Sequence, residues 1–309
     1  MKKHFDISER GRAVLKLVSS MLIFGTVGLF VKGCAYPSGF IAMTRGFIGA
    51  LLMLVIMLIS KRRPDVSAIR DNLVYLLLSG AFIGFNWILL FESYRYTTVA
   101  AATLMYYMAP IFVTLLSPML LGTRLNPKRI LCIITAVFGM ALLSEFWRLD
   151  FGSRDGYLGI ILALSAALLY ALVTLTNKKM REISSEDRTL TQLLVAAVVV
   201  LPYTLICEDV SAVAFDPRSI LLLILIGALH TGIAYSLYFG SISALPADTV
   251  AVFSYIDPIS AVILSVIFLD ESMSIFGIIG AVLILLSAYL LDRAPKTKEN
   301  KTRGKKGED

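Results

Sequence analysis

Charged residues are scarce in this chain of 309 residues. Only 17% are Asp, Glu, Lys or Arg, whereas 57% are hydrophobic, and the mean hydropathy is +0.79. Soluble domains contain about 45–50% apolar residues. The charges sit in short islands between apolar runs, so the sequence leaves no room for a separate soluble domain. The tail, residues 293–309, is too short and too charged to fold alone.

Residues that hold metals or act as nucleophiles are also few. The three cysteines, Cys34, Cys132 and Cys207, form no CxxC pair and no metal-binding spacing, so we interpret them as apolar packing residues. The chain has only two histidines, and no paired acidic motif or His cluster. The sequence therefore predicts no metal site, no cofactor and no enzymatic activity.

What the chain has in abundance is apolar runs of membrane-spanning length. About 20 helical residues cross roughly 30 Å of hydrocarbon. Ten such runs can be drawn: 13–31, 38–60, 71–92, 97–119, 127–146, 157–177, 188–206, 217–240, 247–269 and 273–291. The pattern predicts an all-α integral membrane protein with ten transmembrane helices.

Lysine and arginine are distributed unequally between the two sides of these spans. One side takes the N-terminus, the loops around 61–70, 124–129 and 178–188, and the tail. The opposite side has Lys32, Arg95, Arg148, Arg154 and Arg218. By the positive-inside rule, both termini are cytoplasmic, in the cell (inner) membrane. The net charge of +7 is then a topology signal, and we expect the lipid bilayer rather than nucleic acid as a partner.

An internal repeat relates the two halves of the chain. Pro110 and Pro258 are 148 residues apart, and this offset aligns spans three to five with spans eight to ten without gaps. The same register pairs Phe91 with Phe239, Ser93 with Ser241, Tyr107 with Tyr255 and Ser117 with Ser265. Because each unit has an odd number of spans, the second is inverted relative to the first. Inverted five-helix repeats are typical of secondary transporters.

Several short motifs resemble those of one transporter family. They are Phe24-Gly25, Thr44-Arg45-Gly46-Phe47, Met108-Ala109-Pro110-Ile111, Ile256-Asp257-Pro258-Ile259, Phe268-Leu269-Asp270-Glu271, and Gly277 with Gly280. With the span number and the repeat, the chain resembles the drug/metabolite transporter superfamily, in its ten-span branch with two EamA domains. The first domain is expected at 12–146 and the second at 157–292, followed by the charged cytoplasmic tail. The resemblance implies transport of amino acids, metabolites or drugs, often outward.

Asp257 is the most informative single residue, because it lies in the middle of the ninth span and precedes Pro258. A carboxylate at the centre of an inserted helix costs about 2.5–3.5 kcal/mol and usually faces a cavity or a partner. Three roles stay open: a structural hydrogen bond, substrate binding, or carrying protons as the coupling ion.

Other polar residues within the spans complete the candidate site. The residues expected to bind substrate or to couple transport are Asp257, His230, Tyr106, Tyr107, Asn86, Arg45 and Ser254. His230 could instead be a satisfied packing residue, and Arg45 could pair with Glu92 at the outer end of span three. Pro110 and Pro258 each break a helix near mid-membrane, as hinges for alternating access or as static kinks.

These observations predict a secondary transporter of small organic solutes, either an exporter or a proton-coupled permease. The alternatives are a non-transporting membrane sensor or scaffold, and an exchanger of nucleotide sugars or sugar phosphates. The second alternative needs a phosphate-binding Arg/Lys cluster within the membrane, which the sequence does not offer. The sequence leaves open the identity of the substrate and whether the protein is a monomer or a homodimer.

Overall fold

The computed structural model describes residues 7–122, 127–144, 155–209, 216–242, 245, 250 and 253–293, and these residues fold as a bundle of helices. The helices are α1 (Ile7–Lys32), α2 (Ser38–Ile59), α3 (Val66–Asp71), α4 (Leu73–Tyr96), α5 (Val99–Tyr106), α6 (Ala109–Leu121), α7 (Pro127–Ser144), α8 (Asp155–Asn177), α9 (Ser185–Cys207), α10 (Pro217–Gly227), α11 (Ala234–Ile242), α12 (Ile256–Leu269) and α13 (Ile275–Arg293). A π-helical turn, Ala228–Ile233, joins α10 to α11.

The bundle is that of a multi-pass membrane protein. Seven helical stretches among the described residues are long and apolar enough to cross a membrane, and three shorter apolar helices, Ile130–Leu143, Ile256–Leu269 and Ile275–Ser287, fall on the predicted fifth, ninth and tenth spans. Large apolar side chains also cover the outside of the bundle; Met119 and Ile206 are each 82% exposed. A helix that is apolar on both its inner and outer faces is suited to a lipid environment.

The most extensive packing between helices falls into three sets. The α4 helix lies along both α8 and α9, and α2 packs against α9. The α1 helix packs against α11 and α12, while α7 and α13 form a pair. That pair approaches closely at Gly139 and Gly280: a Cβ atom added to Gly139 would lie 2.9 Å from the Gly280 carbonyl oxygen. Small residues commonly allow such close packing between membrane helices.

The helix breaks expected near Pro110 and Pro258 are present in both predicted spans. The α5 helix ends at Tyr106, and α6 begins at Ala109. In the ninth span, Tyr255 forms a turn (φ −72°, ψ −9°) before α12 begins. Each break lies just before its proline, because proline lacks an N–H and its ring clashes with the carbonyl four residues earlier.

The correspondence between the two halves, at an offset of 148 residues, extends to the C-terminal ends of these helices. Gly122 terminates α6 in a left-handed conformation (φ 67°), and Asp270 terminates α12 in the same way (φ 53°). A left-handed residue after the last turn satisfies carbonyls that the helix leaves without donors. These two positions, like the prolines, are 148 residues apart.

The π turn between α10 and α11 was not predicted from the sequence. Within it, the Thr231 hydroxyl donates to the Ile226 carbonyl at 3.1 Å, five residues earlier. His230 Nδ1 lies 3.2 Å from the Leu225 carbonyl, again five residues earlier. Single π turns inside α-helices are frequent at functional sites.

Candidate functional site

Two cavities meet in the middle of the bundle. The central cavity, about 290 Å³, has Arg45, Trp87, Phe91, Tyr106 and Pro110 in its wall. The loop-side cavity, about 350 Å³, extends towards the connection between α8 and α9 and is lined by Asn177, Arg188 and Tyr238. The residues that line both are Phe24, Tyr107, Tyr170, Tyr235, Ser254 and Asp257. Of the predicted site residues, four therefore lie in the central cavity wall with Arg45: Asp257, Tyr107, Tyr106 and Ser254.

Asp257 and Tyr107 connect the two helix breaks. The Tyr107 hydroxyl lies 3.0 Å from Asp257 Oδ2 and donates a hydrogen bond to it. Tyr107 belongs to the break between α5 and α6, and Asp257 stands in the first turn of α12. The same hydroxyl is 3.4 Å from the Ser254 carbonyl. The single hydroxyl proton of Tyr107 cannot form a full hydrogen bond to both acceptors. Protonation of Asp257, or its contact with a solute, would therefore change the hydrogen bond that joins the two breaks.

Small residues bring α1 against this point. Ser260 Oγ donates to the Asp257 carbonyl at 2.9 Å, which satisfies a backbone acceptor beside the break. A Cβ atom added to Gly25 would overlap the Ser260 hydroxyl and lie 2.8 Å from the Asp257 carbonyl oxygen. Glycine at position 25 thus allows α1 to contact α12 where the carboxylate is held.

Of the alternatives left open for Arg45, pairing with Glu92 is not the one that the structure shows. Arg45 is 5% exposed, its Nε donates to Thr231 Oγ1 at 3.1 Å, and its guanidinium carbon lies 4.2 Å from the centre of the Trp87 ring. Glu92 instead accepts from Ser38 Oγ at 2.6 Å. The guanidinium stacks because an arginine plane pairs well with an aromatic face. Its cationic surface still contributes to the wall of the central cavity.

Asn86 supports the cavity wall from behind. It is 1% exposed, and its Nδ2 donates to the Ala166 carbonyl at 2.5 Å, which links α4 to α8. Its Oδ1 accepts from the Tyr106 hydroxyl at 3.3 Å. Tyr106 also contacts Tyr170, with ring centroids 5.6 Å apart. Asn86 is therefore placed to orient Tyr106, and a direct contact with substrate is not what its position favours.

His230 is fully buried between helices and does not line either cavity. Its Nε2 lies 2.9 Å from Thr26 Oγ1, and its ring packs at 4.7 Å against Phe30. In the neutral tautomer with a proton on Nδ1, the ring donates to the Leu225 carbonyl. Nε2 then accepts from the Thr26 hydroxyl, whose single proton is shared with the Ile23 carbonyl at 2.7 Å. This position corresponds to the packing interpretation of His230.

Sequence reasoning missed two parts of the site. Trp87 belongs to none of the quoted motifs and Phe24 enters only through Phe24-Gly25, because an aromatic stripe gives no sign of which face it turns to a cavity. Arg188 was counted only as a loop cation. Its position four residues before Gln192 on α9, with Thr189 adjacent, was a signal that a polar face enters the bundle.

The opposite end of the bundle is held by carboxylates at helix N-termini. Glu271 accepts from the Val99 and Ala100 N–H groups, at 2.9 and 3.2 Å, and pairs with Lys32 at 2.7 Å. Glu208 accepts from the Gly39 and Phe40 N–H groups at 2.7 and 2.9 Å. Negative charge is favourable at these positive helix ends.

A third cavity, about 310 Å³, lies at that end beside Lys32 and Arg95, and Phe91 and Tyr94 line both it and the central cavity. At the same end, the exposed carboxyl of Asp216 caps α10. Hydrogen bonds from the Ser219 hydroxyl and N–H lower the pKa of Asp216.

Comparison with known proteins points in one direction. The sequence profile of the EamA-like transporter family matches residues 11–145 and 157–292. An uncharacterized transporter, YxxF, of Bacillus subtilis is 28% identical, with 91% of this chain and 90% of that protein covered. An uncharacterized transporter of Archaeoglobus fulgidus is 27% identical (89% and 94% covered), and the protein RarD of Salmonella typhi is 26% identical (86% and 89% covered). A crystal structure of 20% identity has a TM-score of 0.62 over 90% of this chain and 95% of that one, which indicates a shared fold.

Proposed function

Because the chain belongs to the EamA-like transporter family, within the drug/metabolite transporter superfamily, we propose that it carries a small organic solute across the cell (inner) membrane by alternating access. The observation that carries the proposal is the junction between the helix breaks, where Tyr107 donates to Asp257 at 3.0 Å in the wall of two connected cavities. A carboxylate held there is reachable by a solute and is mechanically coupled to both breaks.

The proposed architecture is ten spans in two inverted repeats, 12–146 and 157–292, with both termini and the tail 293–309 on the cytoplasmic side. Three pairs of features at one offset support it: Pro110 with Pro258, Tyr107 with Tyr255, and the left-handed helix ends at 122 and 270. Movement of one repeat against the other would be concentrated at the two breaks. A broken helix bends there more easily than along a continuous hydrogen-bonded stretch.

The lining of the central cavity favours an organic solute with an apolar or aromatic body. Its wall is rich in aromatic side chains, with Asp257 and the Arg45 guanidinium as its charged groups among the described residues. A small number of polar groups in an apolar cavity fixes the orientation of a ligand. We include coupling to protons in the proposal, with Asp257 as the residue that takes up and releases them, and outward transport as the expected direction.

Solute flux into proteoliposomes tests the proposal. A panel of metabolites is screened first for a solute that the native protein transports. We expect the flux of that solute to change with an imposed proton gradient, and Asp257→Asn to lower the flux at least tenfold. Tyr107→Phe should lower it less, because the carboxylate remains. The matched control is Asp71→Asn, an exposed carboxylate that lines neither the central nor the loop-side cavity, which should leave flux unchanged.

Full flux in Asp257→Asn, with the same response to the proton gradient, would remove Asp257 from the mechanism. Absence of flux for every solute in the native protein, with correct insertion verified, would contradict transport itself.

A further inference from the structure

The loop-side cavity contains a cation, Arg188, that forms no ion pair with the described residues. Arg188 lies in the first turn of α9, is half-buried, and lines this cavity. Within the part of the chain that the structure describes, its guanidinium has no ion-pair or hydrogen-bond partner. The preceding Asp187 bonds elsewhere: its Oδ2 accepts from Ser184 Oγ at 2.7 Å. A half-buried guanidinium facing a cavity is a ready partner for an anionic group, since it offers five donors and no acceptor.

Hydrogen-bond donors cluster around Arg188. Gln192 Nε2 donates to Asn177 Oδ1 at 2.7 Å and to Ser79 Oγ at 2.6 Å. The Asn177 oxygen is thereby occupied, which leaves its Nδ2 group as a donor beside Arg188 in the cavity wall. Two donor groups, one of them charged, form a local environment suited to a carboxylate.

The same cavity also contains a group of opposite charge. Asp257 lines both cavities, whereas Arg188 lines only the loop-side one. No ion pair joins these two residues in the described structure. Tyr235 lines both cavities and Tyr238 only the loop-side one. These tyrosines are three residues apart on α11, a rise of about 4.5 Å.

An α-amino acid carries its amine and its carboxylate on one carbon, so its two charges reach only a short way along the cavity. A solute with its amine and its acid at opposite ends of the molecule reaches further between Asp257 and Arg188. The aromatic side chains in the same wall, Tyr107, Tyr170 and Tyr235, would contact the body of such a solute.

We propose that the loop-side cavity binds an amphoteric solute whose ammonium and carboxylate are separated, with the ammonium at Asp257 and the carboxylate at Arg188. This assignment rests on the proposed transport function and names the class of its substrate. It also gives Arg188 a role in specificity that a cation serving only topology would not have.

Two isomeric probes test the assignment. In 4-(aminomethyl)benzoate the charges lie at opposite ends of a ring, whereas in phenylglycine, of the same atomic composition, they share one carbon. Benzylamine and benzoate supply one charge each. Binding is measured by microscale thermophoresis on the purified native chain and its variants, and transport by flux of the same probes in proteoliposomes.

We expect the native protein to bind 4-(aminomethyl)benzoate at least tenfold more tightly than phenylglycine. Arg188→Gln should weaken binding of 4-(aminomethyl)benzoate by about 10- to 100-fold and leave benzylamine unchanged. Asp257→Asn should weaken both of these amine probes. Arg188→Lys should retain part of the affinity, because it keeps the charge but loses the planar fork. Arg181→Gln, a change at an exposed cation near the same loop, is the matched control and should have no effect.

Equal affinity for the two isomers, no binding of 4-(aminomethyl)benzoate, or no effect of Arg188→Gln would each overturn the assignment. These results are distinct from failure of the proposed function. If other solutes of the panel still show flux that depends on Asp257, the protein transports solutes but does not select for those with separated charges. If no solute shows flux while 4-(aminomethyl)benzoate binds through Arg188, the site stands and the transport proposal fails.

Discussion

Removal of the Glu271 carboxylate should destabilise the end of the bundle where α5 begins. Its two oxygens accept the N–H groups of Val99 and Ala100, and one of them also pairs with Lys32. The Glu271 side chain is 6% exposed, whereas that of Lys32 is 37% exposed. In Glu271→Ala, both N–H groups lose their acceptor in a place that water reaches poorly.

The expected loss follows from these contacts. A hydrogen bond to a charged group contributes about 1.5–3 kcal/mol, so the two backbone bonds together contribute about 3–6 kcal/mol. The ion pair adds about 1 kcal/mol or less, because Lys32 can turn to solvent. The free energy of unfolding should therefore fall by most of this sum in Glu271→Ala, by roughly half as much in Glu271→Gln, which keeps one acceptor, and least in Lys32→Ala.

Equilibrium unfolding in mixed micelles with increasing SDS, followed by tryptophan fluorescence, measures these differences. Glu208→Ala is the matched comparison, because Glu208 also accepts two N–H groups at a helix start, those of Gly39 and Phe40, and has no ion pair in the described structure. The two alanine variants should differ only by the small contribution of Lys32. If Lys32→Ala costs as much as Glu271→Ala, the ion pair and not the helix capping holds this end, and the reasoning is refuted.

Two further predictions concern the cavity wall. Gly25→Ala should displace Asp257, lower solute flux several-fold and cost about 1–3 kcal/mol in stability. Flux and SDS unfolding of the same preparation measure the two effects, and unchanged flux would show that the close approach of α1 to α12 is not needed. Asn86→Ala leaves the Ala166 carbonyl and the Tyr106 hydroxyl without their partner. We therefore expect the free energy of unfolding to fall by about 1–3 kcal/mol and the transported solute to bind more weakly. An unchanged affinity would limit Asn86 to helix packing.

Most of the helical architecture could be predicted from the sequence, because a membrane span is a long apolar run and a proline within it has a fixed local effect. Both helix breaks lie just before Pro110 and Pro258, because a proline has no N–H to complete the helical hydrogen bond. A cavity or a partner at Asp257 was foreseeable as well, since a carboxylate in the middle of a span needs a polar or solvated surrounding.

The partners of individual side chains could not be predicted in the same way. Pairing with Glu92 was one alternative for Arg45, whereas its guanidinium stacks on Trp87 and bonds to Thr231. Helical periodicity tells which residues share a face, but not which neighbouring helix that face meets or at what height. The π turn had no signal in the residue types of 228–233, because its hydrogen bonds depend on packing against α2.

The π turn has a consequence for the side chains that follow it on the same span. A π turn amounts to one residue inserted into an α-helix, and its wider turn absorbs that residue. In a regular helix one extra residue would rotate everything after it by about 100°. Tyr235 and Tyr238 follow the insertion, whereas Leu223 and Ile226 precede it. Deletion of one residue within 228–233 should therefore restore a regular helix and leave both tyrosines facing the cavities, at the cost of the contacts that His230 and Thr231 make within the turn.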